Sequence, residues 1–252
     1  MRTSPTPPTA HLQYKHVSGL IIGRAIARAV ADAGMDYSTL GKGIGISTAG
    51  VSRMINGQRL TPLADVAAAL ALCGVTGDRR KRLLWIAEER RSKRDGLLLD
   101  YGAPDQVDTT TLTDLETIAT TITAVAPVGL PHLLDTQQTL TPRRGTHYRF
   151  LLTRHALTHP PEGRTHRLSH LVHLTDRPDI DIRITDTPPD GEPFQLMAFP
   201  DAPPAVAIRL RTALLFTDRA DTVATYTEHT STLIANAFNR EASHRLIRNL
   251  AT

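Results

Sequence analysis

The sequence predicts an all-α N-terminal domain of five helices and a C-terminal α+β domain, in which a small, mostly antiparallel sheet is closed by helices. Apolar residues recur every three or four positions in the first part, whereas short apolar segments separated by turn residues follow in the second. The same two parts differ in charge. Residues 1–95 carry 15 basic and 7 acidic side chains, whereas residues 96–252 carry 14 basic and 18 acidic side chains. The resulting charges of +8 and −4 suit only the first part to a polyanion.

We expect four segments along the chain. Residues 1–16 hold prolines and threonines without an apolar run, and are predicted to be a disordered tail. Residues 17–95 are expected to form the helical domain. Residues 96–110, which include the turn sequence Gly-Ala-Pro-Asp, are expected to be a linker, and residues 111–252 to form the α+β domain.

Composition excludes several classes of protein. Apolar side chains make up 40% of the chain, which is enough for a packed core and excludes general disorder. The longest apolar run, near residues 66–75, spans about ten positions and is too short to cross a bilayer. The N-terminus has no apolar signal-peptide core, and the single cysteine, Cys73, cannot form an internal disulfide. We therefore expect a cytoplasmic protein with no membrane partner.

Each helix of the first domain has its own start or stop signal. In the first helix Ile22, Ile26 and Val30 repeat at i+4, and Gly34 is placed to end it. Asp36 and Ser47 are N-caps for the second and third, and Pro62 lies near the start of the fourth. The predicted helices cover residues 18–34, 36–42, 47–56, a segment from 62, and 77–94.

The second domain shows both helical and strand patterns. Over residues 179–185, Ile180, Ile182 and Ile184 alternate with Asp181 and Arg183, which predicts a half-buried strand. Further strands are predicted over residues 148–152, 194–199, 205–210 and 213–216. Helices are predicted over residues 112–125, 165–174, 220–238 and 240–250.

The third helix carries the clearest functional pattern. Val51, Met54 and Ile55 have the i, i+3, i+4 spacing that anchors a helix to a core. The side chains left pointing outward are Thr48, Ala49, Ser52, Arg53 and Asn56. A helix of this width fits the major groove of B-DNA, with its N-terminal residues nearest the base edges.

Residues 34–57 resemble the helix-turn-helix of lambda-repressor-like (XRE-type) DNA-binding domains. In that family a leucine packs against a small residue, a glycine reverses the turn, and an aliphatic residue and a serine start the recognition helix. Leu40, Gly41, Gly45, Ile46 and Ser47 hold those positions here. Tyr37 and Thr48 stand at positions where the family often has glutamine, and Gly41 stands where the family usually has alanine.

The resemblance implies a DNA-binding regulator with its recognition helix at about residues 47–56. Ser47, Thr48 and Ala49 are then nearest the bases, and Arg53 binds a guanine or a phosphate. The full set of candidate DNA-binding residues is Tyr37, Ser47, Thr48, Ala49, Ser52, Arg53, Asn56, Gln58 and Arg59. We expect the last three to contact the DNA backbone, and we expect two copies of the protein to read an inverted repeat.

The second domain resembles the C-terminal domain of a large actinobacterial class of regulators, described as antitoxin-like and otherwise of unknown function. A divergent proline-leucine-leucine-threonine motif over residues 130–136 and the segment 194–201 carry this resemblance. The family's glutamate near Ile208 is absent, and Arg209 and Leu210 stand there. The resemblance implies a domain that binds a small partner protein, dimerises, or does both.

Other functions stay open beside DNA-binding regulation. One alternative is an antitoxin-like protein-interaction module, and another is a ligand-sensing repressor with a small molecule between sheet and helices, lined by Ile180, Ile182, Phe194 and Phe216. Histidines stand in helical pairs at positions 155/159, 166/170 and 170/173. No metalloprotease glutamate or nearby cysteine accompanies them, and no nucleophile elbow or phosphate loop occurs. We therefore expect no catalytic activity, metal or cofactor.

Overall fold

The computed structural model describes residues 16–58, 61–92, 97–101, 110–134, 143, 145–159, 163–210 and 212–251. Apart from His16, the expected disordered tail lies outside these residues. The helices are α1 (Val17–Asp32), α2 (Tyr37–Ile44), α3 (Thr48–Ile55), α4 (Leu63–Leu72), α5 (Gly77–Ser92), α6 (Thr110–Glu116), α7 (Arg154–Thr158), α8 (Arg164–Thr175), α9 (Ala220–Asn236) and α10 (Arg240–Ala251), with a short 3-10 helix at His132–Leu134. The strands are β1 (Leu97–Tyr101), β2 (Thr121–Ala126), β3 (His147–Thr153), β4 (Ile180–Thr185), β5 (Phe194–Phe199), β6 (Ala202–Arg209) and β7 (Ala213–Thr217).

Helices α1 to α5 form the N-terminal part, as predicted, and α1 lies at its centre. Eleven of the sixteen α1 residues are buried, because α1 contacts α3, α4 and α5 as well as α6 and β6 of the second part. Both predicted caps are confirmed: the Asp36 carboxylate accepts a hydrogen bond from the Thr39 backbone N–H at 2.7 Å, and Ser47 Oγ accepts one from Gly50 at 3.1 Å. Gly45 ends α2 in the left-handed conformation, with φ 73°.

The second part contains one seven-stranded sheet in the order β1-β7-β6-β5-β2-β3-β4. The β2–β3 and β3–β4 pairs are parallel and the other four pairs are antiparallel, so the expected α+β layout with a mostly antiparallel sheet is confirmed. The alternation predicted for β4 is also confirmed, since Ile180, Ile182 and Ile184 are buried. On the opposite face Asp181 pairs with Arg183 at 2.7 Å.

Helices cover both faces of the sheet. Helix α9 packs on one face, where Val223 joins Phe194 and Val206 in an apolar cluster. The other face belongs to a larger cluster that contains residues of α1, α6, α8 and α10 together with Ile122 and Met197. The core of the helical part and the core of the sheet are therefore continuous.

Polar contacts reinforce this junction between the two parts. The Arg28 guanidinium on α1 contacts the Asp114 carboxylate on α6. The backbone N–H of Val17 donates to Asp218 Oδ2 at 2.7 Å, and His16 Nδ1 lies 3.3 Å from the same oxygen. Both ends of the junction are thus fixed by charged groups from the second part.

The helix predicted over residues 112–125 is wrong. Helix α6 ends at Glu116, and Thr121–Ala126 is the strand β2, which lies between β5 and β3 in the sheet. Five of its six residues are buried, so the segment lacks the alternation that marks a half-buried strand. Leu115, Ile118 and Ile122 happen to fit a helical spacing, whereas the β-branched threonines nearby favour the strand.

Two further elements are absent from the prediction. Strand β1 lies within residues 96–110, expected to be a linker, and pairs with β7; residues 102–109 of that stretch lie outside the described part. Helix α7 follows β3 and is capped by Thr153, whose Oγ1 accepts from the Ala156 backbone N–H at 3.1 Å. Among the helices described, none combines the length and the apolar character that crossing a membrane requires.

Candidate nucleic-acid interface

Helices α2 and α3 meet at a tight turn. A Cβ atom placed on Gly41 would lie 2.6 Å from the carbonyl oxygen of Ile46, so the glycine allows α2 to lie against the turn more closely than an alanine would. Leu40 beside it is fully buried. The two helices are therefore held at a fixed angle by backbone contact and by one leucine.

Helix α3 has one anchored face and one exposed face. Val51, Met54 and Ile55 are at most 3% exposed, which confirms the predicted anchors. Gly23 of α1 lies directly beneath them, because a Cβ there would come within 2.0 Å of the Ile55 carbonyl oxygen. The position of α3 is thus determined by backbone-to-backbone contact with α1.

The candidate DNA-binding residues lie on and around the exposed face of α3. Exposed side chains are found at Tyr37, Ser47, Thr48, Ala49, Arg53, Asn56 and Gln58, and Ser52 is half-buried. Arg59 lies outside the described residues. The structure brings these positions together at the α2–α3 unit, with Tyr37 as the first residue of α2.

Three of these side chains, Ser47, Ser52 and Asn56, already have partners within the protein. Ser47 Oγ is the N-cap acceptor of α3, which leaves its hydroxyl hydrogen and one further acceptor site for a ligand. Asn56 Nδ2 donates to Ser52 Oγ across one turn at 3.4 Å, a long bond that a stronger acceptor would displace. Thr48, Ala49 and Arg53 make no such contact within the described part of the chain.

The N-termini of α2 and α3 differ in charge. The N-terminus of a helix attracts anions, since its free N–H groups and the helix dipole are both positive there. At α2 this end is capped by the Asp36 carboxylate, whose pKa is lowered by the hydrogen bond from the Thr39 backbone N–H. At α3 the cap is the neutral Ser47. A phosphate or a base acceptor is therefore favoured more strongly at the N-terminus of α3 than at that of α2.

Comparison with known families agrees with this geometry. Residues 21–83, which span α1 to the first half of α5, match a family described as a helix-turn-helix domain. This part of the chain is a helix-turn-helix domain. Such domains bind DNA by placing the second helix of the pair in the major groove, and here that helix is α3.

The region after the helix-turn-helix domain matches a second family. Residues 134–249 match a domain of unknown function, DUF5753. None of the curated proteins compared with this chain matches it. One similar solved structure is TrmBL2, an archaeal chromatin protein, at 16% identity and a TM-score of 0.38 over 64% of this chain and 60% of that one. At this similarity that structure does not bear on what this chain binds.

Residues 79–82 of α5, with the sequence Arg-Arg-Lys-Arg, form a basic cluster, and some of its side chains have partners within the protein. Lys81 pairs with Asp78 one turn away at 3.0 Å, and Arg80 Nη2 reaches the Ala67 carbonyl oxygen on α4 at 3.5 Å. Lys42 was not among the residues predicted to bind DNA. It is exposed in the last turn of α2, and its charge contributes to the lowered pKa of Asp36. A single lysine among the many arginines of this domain is the sequence pattern that could have indicated it.

The ligand site expected in the second part is not where it was predicted. Ile180, Ile182 and Phe216 are at most 1% exposed and belong to the packed core, which leaves no room for a molecule between them. Of the four expected residues, Phe194 lines a cavity that lies at the rim of the sheet.

The histidine pairs have ordinary explanations. The rings of His155 and His159 stack with centroids 4.0 Å apart. Burial lowers the pKa of His170, and the nearby His166 and His173 lower it further, so that its neutral form is favoured. Within the described residues, no group of three or more His, Cys, Asp and Glu side chains is arranged to hold a metal ion.

Proposed function

We propose that this protein is a dimeric, sequence-specific transcription regulator of the XRE type that reads DNA with α3. The observation that carries the proposal is the exposed face of α3, whose polar side chains stand on a helix anchored by Val51, Met54 and Ile55. A rigid helix presents these groups to the groove without the entropic cost of ordering a loop. The helix-turn-helix match and the charge of +8 over residues 1–95 support the same function.

Each candidate residue has a distinct role in this proposal. Thr48 and Ala49, in the first turn of α3, face the base edges, where a methyl group or a hydroxyl distinguishes base pairs. Arg53, one and a half turns further, binds a guanine or a phosphate. Asn56 and Gln58 hold the DNA backbone beyond the end of α3, and Arg59 is proposed to act with them. Tyr37 contacts a phosphate from the start of α2.

The dimer is proposed because one short recognition helix reads few base pairs. Helix α3 has eight residues, and helix-turn-helix proteins of this size reach specificity by binding two half-sites about 34 Å apart. The net charge of −4 over residues 96–252 supports a placement of the second part away from the phosphates. We propose that this part carries the dimer contact and binds a small partner protein. Neither matched family is described by a catalytic activity, and we propose none.

The test is selection of duplexes by the full-length protein from a random-sequence library at moderate salt. We expect an inverted repeat to be enriched, with half-sites about 10 base pairs apart from centre to centre. Arg53→Ala is expected to weaken binding to the selected duplex by about 1–3 kcal/mol. Arg245→Ala is the matched control, because Arg245 is an exposed arginine on α10 and its loss changes the net charge equally. The proposal fails if wild type and Arg53→Ala bind every duplex with the same weak affinity.

A further inference from the structure

A cavity of about 220 Å³ opens at the rim of the sheet, where β2 ends and β5 begins. Its apolar lining includes Leu112 of α6, Leu130 of the segment after β2, and Phe194 of β5. A cavity of about 150 Å³ holds a benzene ring, so this one accommodates a ligand of about ten non-hydrogen atoms. Size and lining therefore indicate a small molecule with a compact apolar body.

A chain of polar side chains enters this cavity from the core. His132 Nε2 lies 2.8 Å from the Glu116 carboxylate, with both side chains at most 12% exposed, although the two atoms are not aligned as a hydrogen bond. His132 Nδ1 lies 3.3 Å from Gln195 Nε2. We assign the ring proton to Nε2, facing the carboxylate, which leaves Nδ1 to accept from the Gln195 amide.

This assignment leaves one acceptor without a partner. Gln195 is 6% exposed, and its Oε1 atom has no hydrogen-bond partner within the described residues. An unpaired buried carbonyl oxygen is costly, because it has lost water without gaining a donor. The oxygen is fully buried in this conformation. Because Gln195 lines the cavity, a rotation of its side chain would bring Oε1 to a ligand that donates a hydrogen bond.

A positive charge stands on the same face of the sheet. In the β5–β6 register Gln195 lies opposite Ala207, so Arg209, two residues further, is the diagonal neighbour of Gln195 and points to the same face. Diagonal neighbours are about 7–8 Å apart. Arg209 is exposed and also lines the cavity. Arg209 and Gln195 thus offer a donor and an acceptor to a ligand from neighbouring positions on the same face of the sheet.

We propose that this cavity binds a small hydroxylated carboxylic acid with an aromatic or branched apolar body. Its hydroxyl donates to Gln195 Oε1, its carboxylate pairs with Arg209, and its body packs against Leu112, Ala124 and Leu130, which line the cavity on the same face of the sheet as Gln195. The cavity is then the effector site of the regulator, and this second statement rests on the proposed function.

Helix α6 connects the site to the helix-turn-helix domain. Three of its seven residues face different partners: Leu112 lines the cavity, Glu116 meets His132, and Asp114 pairs with Arg28 on α1. A displacement of this short helix by a ligand at Leu112 therefore also moves the partner of Arg28.

Helix α1 carries the effect onward. The backbones of α1 and α3 are in direct contact at Gly23 and Ile55. A shift of α1 therefore also moves the recognition helix α3. Occupancy of the cavity is expected to change DNA affinity because the ligand favours one position of α6 over another.

The binding test is calorimetry of the full-length protein with 3-hydroxybenzoate, which carries a free hydroxyl and a carboxylate on one ring and has about ten non-hydrogen atoms. Benzoate lacks the hydroxyl and phenol lacks the carboxylate, so each isolates one interaction. We expect 3-hydroxybenzoate to bind about fivefold or more tightly than either, as one hydrogen bond predicts. Absence of binding at millimolar concentration, or equal affinity for all three compounds, overturns the proposal.

Variants assign the two polar contacts. Gln195→Met keeps the side-chain volume and is expected to remove the preference for 3-hydroxybenzoate over benzoate. Arg209→Met is expected to remove the preference for 3-hydroxybenzoate over phenol, with Arg245→Met as the matched control. Unchanged preferences in both folded variants contradict the proposed site. If Gln195→Met does not fold, the comparison of the three ligands on the wild type still decides the role of the hydroxyl.

The regulatory arm uses the duplex selected above. Saturating 3-hydroxybenzoate is expected to change the Kd for that duplex by about fivefold or more in the wild type, a coupling of ordinary size. Val128→Trp, which fills the mouth of the cavity from a position 78% exposed, is expected to bind the duplex normally and not to respond. Ligand binding without a change in Kd overturns the effector role. Absence of any selected duplex contradicts the proposed function, while calorimetry still reports on the cavity.

Discussion

The Arg28 guanidinium on α1 contacts the Asp114 carboxylate on α6, and the Asp114 side chain is only 6% exposed. Burial raises the pKa of Asp114, and the positive charges of Arg28, Arg24 and Arg79 offset this only in part. The junction between the helix-turn-helix domain and the second part is therefore built around a carboxylate that is costly to ionise. The free-energy cost of ionising Asp114 and its contact with Arg28 lead to the first two predictions.

We expect Arg28→Met to destabilise the protein more than Asp114→Asn does. Loss of Arg28 leaves a buried carboxylate without its nearest cation, which costs about 1–3 kcal/mol. Loss of the Asp114 charge leaves a half-exposed guanidinium that water can solvate, so the change is expected to stay within about 1 kcal/mol. Urea unfolding of both variants at neutral pH measures the two free energies. The reverse order would contradict this account of the junction.

The pH dependence of stability follows from the same carboxyl. Because its pKa is raised in the folded state, the folded protein binds this proton more tightly than the unfolded chain does. The contribution of Asp114 is therefore most favourable below the ordinary carboxyl value of 3.8 and is lost as pH rises through the raised value. Relative to Asp114→Asn, the wild type is expected to gain stability as pH falls through this window. Parallel unfolding curves of the two proteins across that range would rule the prediction out.

Glycine substitutions are expected to have opposite effects at two positions. Gly23→Ala places a methyl group against the Ile55 carbonyl oxygen, which cannot move without shifting α3, so we expect a loss of about 1–3 kcal/mol. In Gly43→Ala the new methyl meets only the end of Leu72, a 45% exposed side chain that can rotate away. That change is expected to stabilise α2 by about 0.5–1 kcal/mol. Thermal unfolding of both variants gives the comparison, and equal destabilisation would show that the α1–α3 contact is not special.

The two roles left open for Arg53 differ in their dependence on salt. If Arg53 holds a phosphate, Arg53→Ala lowers the slope of log affinity against log salt by about one and weakens all duplexes alike. If it reads a guanine, the slope changes less and the selected sequence becomes degenerate at one position. We expect the second result, because Arg53 stands on the exposed face of α3 between the first turn, which we propose faces the bases, and the end, which we propose faces the DNA backbone. Titrations at several salt concentrations with the selected and a scrambled duplex separate the two.

Asp36 is expected to weaken DNA binding while it stabilises α2. Asp36→Asn preserves a cap acceptor but removes the negative charge from the N-terminus of α2. DNA affinity is expected to increase, and more so at low salt, because screening hides this repulsion at high salt. Fluorescence anisotropy with the selected duplex measures the effect. If Asp36→Asn binds the duplex more weakly while its thermal stability is unchanged, the prediction is wrong and the carboxylate favours DNA binding.

Local signals made the helix-turn-helix domain predictable from the sequence. Caps such as Asp36 and Ser47 and the turn at Gly45 act within a few residues, so their effect can be read along the chain. Strand β2 was not predictable in the same way, because a strand buried on both faces has no alternation to distinguish it from a helix.

The cavity was also beyond the reach of the sequence. Glu116, His132 and Gln195 meet only because β2 and β5 pair in the sheet, and the His132–Gln195 contact joins residues 63 positions apart. The sequence placed an apolar ligand site at Ile180 and Phe216 instead, where large side chains complete the core. Hydrophobicity alone does not distinguish a cavity wall from a filled interior, whereas the pairing of polar groups across strands does.

The continuous core has a consequence for how this protein can be divided. Helix α1 packs against the recognition helix α3 on one side and against the sheet on the other, and eleven of its sixteen residues are buried. A fragment cut after α5 would leave the sheet-facing flank of α1 in water, where it would promote aggregation. The helix-turn-helix domain therefore cannot be transferred alone to another protein. A chimaera that keeps its binding properties has to retain the sheet as well.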